Sequence, residues 1–298
     1  LPDAEVFGFL NVDKPLGLTS HDVVGRVRRI FRLRRVGHAG TLDPLATGVL
    51  VVCVGRATRL SEYMMASTKG YRATVQLGAV TTTYDAEGDV TATHDASHIT
   101  RTAVESILPR FTGEIQQLPP MYSAVKQGGK KLYELVREGK QVERKPRTVQ
   151  IDTLTITDFD AETASFTLNV TCGSGTYIRS LAFDIGEALG VGAYLAGLVR
   201  THSGNFHVND ALNLDALAAA DAPTAHLIPA TDALADFPNL TLSPAQLDHI
   251  QHGRRIGGAN AVKNETLAFA FTEDGEFIAV VVAVDGKWKP HKVFSSAT

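Results

Sequence analysis

Cysteine is close to absent, with 2 in 298 residues. Cys53 and Cys172 each stand in a strand-like apolar run, which predicts buried, reduced thiols and argues against a disulfide framework or redox chemistry. Long hydrophobic runs are missing as well. The longest, Val49 to Val54 and Phe277 to Val284, fall far short of the roughly 18 residues that a membrane-spanning helix needs, so no membrane partner is expected. The opening stretch Leu1 to Val12 is acidic, carries no signal-peptide core and lacks an initiator Met. It reads as processed or trimmed, and the expected location is cytoplasmic.

Metal and cofactor signatures are also lacking. His249-x-x-His252 and His94-x-x-x-His98 have no cysteine or carboxylate cluster to complete a ligand set, and Asp158-Phe159-Asp160 sits at a strand end. No H-E-x-x-H, G-x-S-x-G, P-loop or G-x-G-x-x-G pattern occurs. Neither a metal nor a cofactor is implied. There is no internal repeat and no low-complexity tract.

What is present is an ordinary globular composition, 44% hydrophobic, in a length that suggests two domains. The net charge is small, −3 from 29 basic and 32 acidic side chains, yet the charge is segregated. Lys14 to Arg59 holds nine basic residues against Asp22 and Asp43, and Lys126 to Arg147 holds eight against Glu134, Glu138 and Glu143. Thr201 to Gly253 has no Lys or Arg. Each run alone fits a solvated helix face; two in one weakly acidic chain point toward a nucleic-acid partner.

Thr19-Ser20-His21-Asp22 is a helix-capping sequence, followed by Val23, Val24, Val27, Ile30 and Phe31 on one face and arginines on the other. A second helix is predicted over Ile178 to Gly190 and a short basic one over Lys131 to Gly139. Strands are predicted at Arg72 to Val80, Thr148 to Phe159 and Ser165 to Cys172. The mixture without βαβ repetition predicts an α+β domain with a mixed, largely antiparallel sheet flanked by helices and loops. The Ala- and Asp-rich stretch Asn209 to Phe237 reads as a linking region, which divides the chain into residues 1–228 and 229–298. The second unit has a helix opening at Ser243-Pro244 and strands at Thr266 to Phe271, Glu276 to Val284 and Trp288 to Phe294, a small β-rich module.

The densest chemical signal is the run Gly37 to Gly48, with its glycines, Pro44, His38, Thr41 and Asp43, directly before the strand-like Val49 to Val54. Two readings stand side by side. In one it is a structural turn in which Asp43 satisfies backbone amides. In the other Asp43, the one acid between Asp22 and Glu62, is a nucleophile in a basic cleft whose arginines favour its ionised form. His38 is a base, a ligand or a hydrogen-bonding wedge.

Asn11-Val12-Asp13-Lys14-Pro15-x-Gly17-x-Thr19-Ser20 and Gly37-His38-Ala39-Gly40-Thr41-Leu42-Asp43-Pro44-x-Ala46-x-Gly48 together resemble the TruB-type tRNA pseudouridine synthases. Lys69-Gly70-Tyr71, Thr82 to Gly88, Pro119-Pro120-x-Tyr122-Ser123-Ala124-Val125-Lys126, Gly173-x-Gly175-Thr176-Tyr177-Ile178-Arg179-Ser180-Leu181 and Gly192-Ala193-Tyr194-Leu195-x-x-Leu198-x-Arg200-Thr201 continue the resemblance in the family's order. It covers Asn11 to Phe206.

The resemblance implies a pseudouridine-synthase-like fold with a PUA-like RNA-binding domain at the C-terminus. It implies cofactor-free isomerisation of the uridine at position 55 in the T-arm of tRNA. Asp43 would be the catalytic nucleophile, attacking the sugar or assisting elimination. Tyr71 would stack on the uracil, and Arg179 would hold Asp43 ionised. His38 would fill the space left by the flipped base, and Leu198 would wall the pocket. Tyr177 and Thr41 fall among the substrate-binding positions, with Lys14 shaping the neighbouring loop and Asp85 pairing near Arg179. Residues 126–147 resemble the family's insertion that closes on the T-loop, with Gly128-Gly129 as hinge, expected to be mobile without RNA.

The partners expected are tRNA alone, through its T-arm and through the acceptor stem at the C-terminal unit, with no guide RNA and a monomeric protein. Three alternatives share these residues: a tRNA-folding module, a guide-RNA-dependent enzyme of the dyskerin type, and a hydrolase using Asp43 with Asp85 as its general acid.

Overall fold

The structure, a computed structural model, describes residues 6–121, 126–127, 130–131 and 144–294. The predicted basic helix over Lys131 to Gly139, the Gly128-Gly129 hinge and most of the 126–147 insertion lie outside the described residues. In chain order the first half contains β1 (Phe7–Lys14), α1 (Ser20–Phe31), β2 (Val36–His38), β3 (Ala46–Gly55), α2 (Ser61–Ala66), β4 (Lys69–Leu77), β5 (Ala79–Thr81), β6 (Val90–Thr93), α3 (Arg101–Ile107) and β7 (Gly113–Gln117). After the two-residue strands β8 (Lys126–Gln127) and β9 (Lys130–Lys131) come β10 (Arg147–Asp160), β11 (Ser165–Cys172), α4 (Ile178–Leu189), β12 (Ala193–Ser203), β13 (Phe206–His207), β14 (Leu212–Asn213) and α5 (Leu214–Ala219). The last part holds α6 (Ala230–Ala233), β15 (Asn239–Thr241), α7 (Pro244–Gln251), β16 (Ile256–Gly257), β17 (Leu267–Phe271), β18 (Phe277–Val284) and β19 (Lys287–Val293).

α1 begins where its cap predicts. The Thr19 hydroxyl accepts from the Asp22 amide while the Asp22 carboxylate accepts from the Thr19 amide, a reciprocal box that typically contributes about 1 kcal/mol. Val23, Val24 and Val27 are buried, and Arg28, Arg29 and Arg32 face outward. The predicted strand from Arg72 to Val80 is broken in the structure. Gly78 takes φ +87°, a conformation open to glycine, and its amide bonds to the Gly192 carbonyl; β5 then leaves the main sheet to pair with β6.

One sheet of ten strands organises the first unit, in the order β14-β1-β3-β12-β4-β11-β10-β7, with β2 on β3 and β13 on β12. Only β1–β14 and β3–β12 run parallel. The two central strands that matter most are β12 and β4, because they carry Leu198, Arg200 and Tyr71 side by side. Leu181, Ala182 and Ile185 of α4 pack on Ala73, Val75 and Leu195, so this helix covers one face of those strands and its N-terminus opens at their end.

The Ala- and Asp-rich stretch is not a tether. Leu214 and Leu217 of α5 join Val23 and Val27 of α1 in one buried cluster, and Phe9 exchanges backbone hydrogen bonds with Ile228. Its alanines make short helices whose few leucines are enough to dock them. The C-terminal strands form a second sheet, β15-β17-β18-β19-β16. It does not stand apart: Phe269, Phe271, Phe277 and Phe294 share a core with Phe9, Val51 and Leu60, and Phe7 stacks on Phe277 at 5.7 Å. Arg59 lies over the Phe294 ring and donates to the Val293 carbonyl. Among the described residues no helix is long and apolar enough to cross a membrane.

Candidate active site

Asp43 sits on the loop between β2 and β3, at the floor of a cleft of about 670 Å³. One wall is α2 with Glu62, Met65 and Ala66; another is the glycine-rich turn Gly173 to Tyr177 leading into α4; Tyr71 and Leu198 project from the sheet between them. This volume and mixed lining suit a small organic ligand or a single nucleoside.

Arg179 lies in the first turn of α4 and is buried. A cation there opposes the helix dipole by roughly 0.3–1 kcal/mol. Two charge-assisted contacts outweigh that cost, at about 1.5–3 kcal/mol for each hydrogen bond to a charged group. Nη2 lies 3.0 Å from Asp43 Oδ2 and Nη1 lies 3.2 Å from Asp85 Oδ2, with the Thr83 carbonyl 3.3 Å from Nη1. Asp85 is almost fully buried and is otherwise satisfied by the Thr83 hydroxyl at 2.5 Å and the Glu87 amide at 3.0 Å. The three groups form a line from the interior to the cleft: Asp85, Arg179, Asp43.

Of that line Asp43 is the most open, with 41% of its side chain accessible against 9% for Arg179 and 2% for Asp85. Crowding by the surrounding protein pushes its pKa above the ordinary carboxylate range; Arg179 pulls it down, Asp85 pushes it up and Lys14 pulls it down. Burial is the largest of these effects. The arginines that crowd Asp43 in sequence are not what acts on it. Arg28 bonds the Val36 carbonyl and Arg26 lies near Asp215, whereas the guanidinium on Asp43 comes from a residue far along the chain.

Tyr71, Thr41 and Tyr177 line the same cleft. Tyr177 caps α4 from outside, its amide and carbonyl both held by the Gln117 side chain at 2.7 and 3.0 Å. Tyr71 is half-buried and packs with Leu198 against the core. Burial raises its hydroxyl pKa, and the charge of Arg200 lowers it in part. His38 is half-buried on β2, its ring edge-on to His21 at 5.6 Å, and it does not line the cleft; burial first, then the charges of His21 and Arg200, lower its pKa. Lys14 is fully buried and does not line the cleft either. Its ammonium is spent on the carbonyls of Pro15, Leu18 and Pro44 at 2.9, 2.5 and 3.4 Å, tying the β1–α1 loop to the residue after Asp43. Its three donors are taken up by the protein's own carbonyls, which places it as a brace of the loop beside the cleft.

Arg200 is the residue that reading for function passed over. It lines the cleft yet is only 1% exposed. Strict alternation from Ala193 and Leu195 would turn it to the opposite face, but the register shift in β12 after Leu195 puts Leu198 and Arg200 toward the cleft. Its backbone runs so close to Gly48 that a Cβ there would stand 2.3 Å from the Arg200 carbonyl oxygen, which with φ +91° explains the glycine. Among the described residues no three His, Cys, Asp or Glu side chains gather as a metal-holding group.

Residues 28–178 match the TruB family pseudouridylate synthase N-terminal domain, and residues 179–235 match the tRNA pseudouridylate synthase B C-terminal domain. Among curated proteins, the chain is 51% identical to tRNA pseudouridine synthase B of Symbiobacterium thermophilum over 84% of its own length and 83% of that protein's. Its identity to the protein of the same name from Cupriavidus metallidurans is 42%, over 98% and 96% of the two chains. Among solved structures it resembles a chain of a Cbf5-Nop10-Gar1 complex, with TM-score 0.76, 28% identity and coverage of 97% and 85%. It also resembles a chain of an H/ACA RNP bound to a substrate RNA containing 2'-deoxyuridine, with TM-score 0.74 and 25% identity over the same shares. The matched domains span the residues that build the cleft, and the chain belongs to the TruB family of tRNA pseudouridine synthases.

Proposed function

We propose that the chain isomerises the uridine at position 55 of the tRNA T-loop to pseudouridine, with Asp43 as the group that acts on the ribose. The observation that carries this reading is the line Asp85, Arg179, Asp43, which offers a single carboxylate to the cleft with its counter-cation fixed behind it. The reaction breaks the C1′–N1 bond and forms a C1′–C5 bond; the base loses the proton on C5 and N1 gains one, so no co-reactant is consumed. Attack by Asp43 on C1′ and removal of the C2′ proton both start from the ionised carboxylate. Arg179 favours that form while crowding leaves it poorly hydrated and correspondingly reactive.

A T-loop uridine reaches such a floor only after leaving its stack, at a cost of a few kcal/mol. In this reading Tyr71 and Leu198 receive the base between an aromatic and an apolar surface, Thr41 and Tyr177 flank it, and His38, neutral at pH 7, enters the RNA from β2. The exposed arginines of α1 and of Arg32 to Arg35 contact phosphates. We divide the chain at residue 228 and assign residues 229–298 to a PUA-like unit whose basic side chains, Arg254 and Arg255 among them, meet the acceptor stem. The enzyme acts as a monomer in the cytoplasm without a guide RNA; the supporting observation is similarity to a protein named tRNA pseudouridine synthase B along nearly its whole length.

The test is tritium release from a T-arm hairpin carrying uridine labelled at C5, with no guide RNA added. Release by the wild type and none by Asp43→Asn is expected. Release by both proteins, or appearance of free uracil, would overturn the assignment. A tRNA-folding role is read separately, as refolding of the tRNA elbow by the Asp43→Asn protein.

A further inference from the structure

Arg200 is a guanidinium held in the interior without a carboxylate. No acid lies within ion-pair distance of it among the described residues, and its neighbours in the sheet are Gly48 on β3 and Tyr71 on β4. Its nitrogens are taken up by three backbone carbonyls: Nε by Val49 at 2.6 Å, Nη2 by Gly40 at 3.1 Å and Nη1 by Thr41 at 3.4 Å. Tyr71, its cross-strand neighbour, lines the same cleft, and the charge of Arg200 lowers the pKa of that phenol. A second buried cation, Lys69, stands on the same wall and is pushed down to about 8 by burial, with Arg200 adding to the shift; its ammonium bonds the Met64, Met65 and Ser67 carbonyls. Burying one ion typically costs several kcal/mol, so a bare guanidinium beside another cation is not a device for stability alone.

The targets of the fork identify its use. Gly40 and Thr41 immediately precede Leu42 and Asp43, and Tyr71 projects into the same cleft from the strand paired with that of Arg200. We propose that Arg200 is a positioning residue that holds the Asp43 loop in register with the strand pair carrying Tyr71, so that carboxylate and phenol meet the reacting nucleoside together. This rests on the reading of Asp43 and Tyr71 given above. Five donors in a rigid plane make the arrangement; a lysine at the same place keeps the charge but reaches fewer of the three carbonyls. The other charged or titratable groups acting on the phenol are Cys172 and Asp43, both of which push its pKa up, so Arg200 is the one cation opposing them.

The experiment compares wild type, Arg200→Lys, Arg200→Gln, Tyr71→Phe and Asp43→Asn. Tyrosine labelled with 13C at Cζ is titrated by NMR, with the Tyr71 signal assigned by its absence in Tyr71→Phe, and single-turnover rates and tRNA affinity are measured alongside. Arg200→Gln, which removes the charge, is expected to move the Tyr71 titration upward and, like Arg200→Lys, to slow turnover by about tenfold or more, with tRNA Kd within about twofold, since misplacement of reacting groups costs rate rather than encounter. In the Tyr71→Phe background its effect on rate is expected to shrink. Unchanged turnover in both Arg200 variants, or a Tyr71 titration unmoved in Arg200→Gln, would overturn the proposal. Should both variants fail to fold, Gly48→Ala, which displaces the Arg200 backbone, is read instead; turnover unchanged in that variant counts against the proposal equally. If Asp43→Asn turns over normally, the functional reading fails; if it is inactive while the Arg200 variants are normal, only the positioning role fails.

Discussion

Arg179 meets Asp43 through one nitrogen, Nη2, at 3.0 Å, and its other terminal nitrogen is already committed to Asp85 at 3.2 Å. The guanidinium therefore cannot follow Asp43 into the cleft. It remains a fixed charge behind a carboxylate that is free to react on its open side.

That geometry gives a pH prediction with a definite sign. In the proposed reaction Asp43 acts in its ionised form, so turnover should rise as pH climbs through its pKa, which burial raises. Arg179→Ala removes the strongest influence pulling it down and leaves burial in place. The acid limb of the single-turnover profile should move to higher pH, and the plateau should fall by about 10²–10³ as when a preorganised electrostatic group is deleted. An unchanged limb would mean that Arg179 does not control the ionisation of Asp43.

Stability should move the other way when the carboxylate itself is removed. Asp43 has a raised folded-state pKa, so the folded protein takes up a proton more readily than the unfolded chain and ionised Asp43 burdens the fold at neutral pH. Protonation lifts that burden as pH falls through the folded pKa, and the effect is complete below the unfolded value. Asp43→Asn should melt at or above the wild-type temperature at pH 7, the gap closing in acid. Thermal melts at several pH values decide it; a lower melting temperature at pH 7 would show that the Arg179 contact outweighs burial.

The sequence made some of this legible for local reasons. Thr19 and Asp22 cap α1 within four residues, and Gly190 with φ +76° ends α4, because such signals act over one turn of helix. Asp43, Arg179 and Asp85 come from three distant parts of the chain, and no periodicity brings them together; only their motifs in series pointed to a common site. Arg200 was hidden for a different reason. A strand is read by alternation, and an inserted residue at each register shift of β12 reverses the parity after it. The type of Lys14 fits a loop brace or a phosphate contact alike, and only the fold supplies its three carbonyl partners.

Thiol chemistry offers an independent check on burial. Cys53 is fully buried with its thiol pushed up to about 12, and Cys172 to about 11, desolvation being the main cause in both. The thiolate is the reactive species, so a disulfide reagent such as Ellman's should find neither group at pH 8 in the native protein. Both should react once denaturant is added. Fast labelling of one equivalent in the native state would show that β3 or β11 opens far more readily than its packing indicates.

Gly48 ties the motif around Asp43 to Arg200, and alanine there should be among the more damaging small substitutions in the chain. Two costs combine: φ is +91°, and the new Cβ would stand 2.3 Å from the carbonyl oxygen and 3.0 Å from the amide nitrogen of Arg200. Backbone atoms cannot step aside as a flexible side chain does, so β12 must shift and take the guanidinium with it. Gly113 is the matched control, with φ +90° but no atom within 4 Å of its Cβ position. Gly113→Ala should lose about 1–2 kcal/mol, the cost of a left-handed backbone alone, and leave turnover intact. Gly48→Ala should lose roughly twice that or more and slow catalysis as well, because the strand it displaces carries Leu198 and Arg200. Chemical denaturation gives the two stabilities and single-turnover assays the two rates. Equal losses in both variants would mean that β3 and β12 have room to separate and that the close approach is not what holds Arg200 in place.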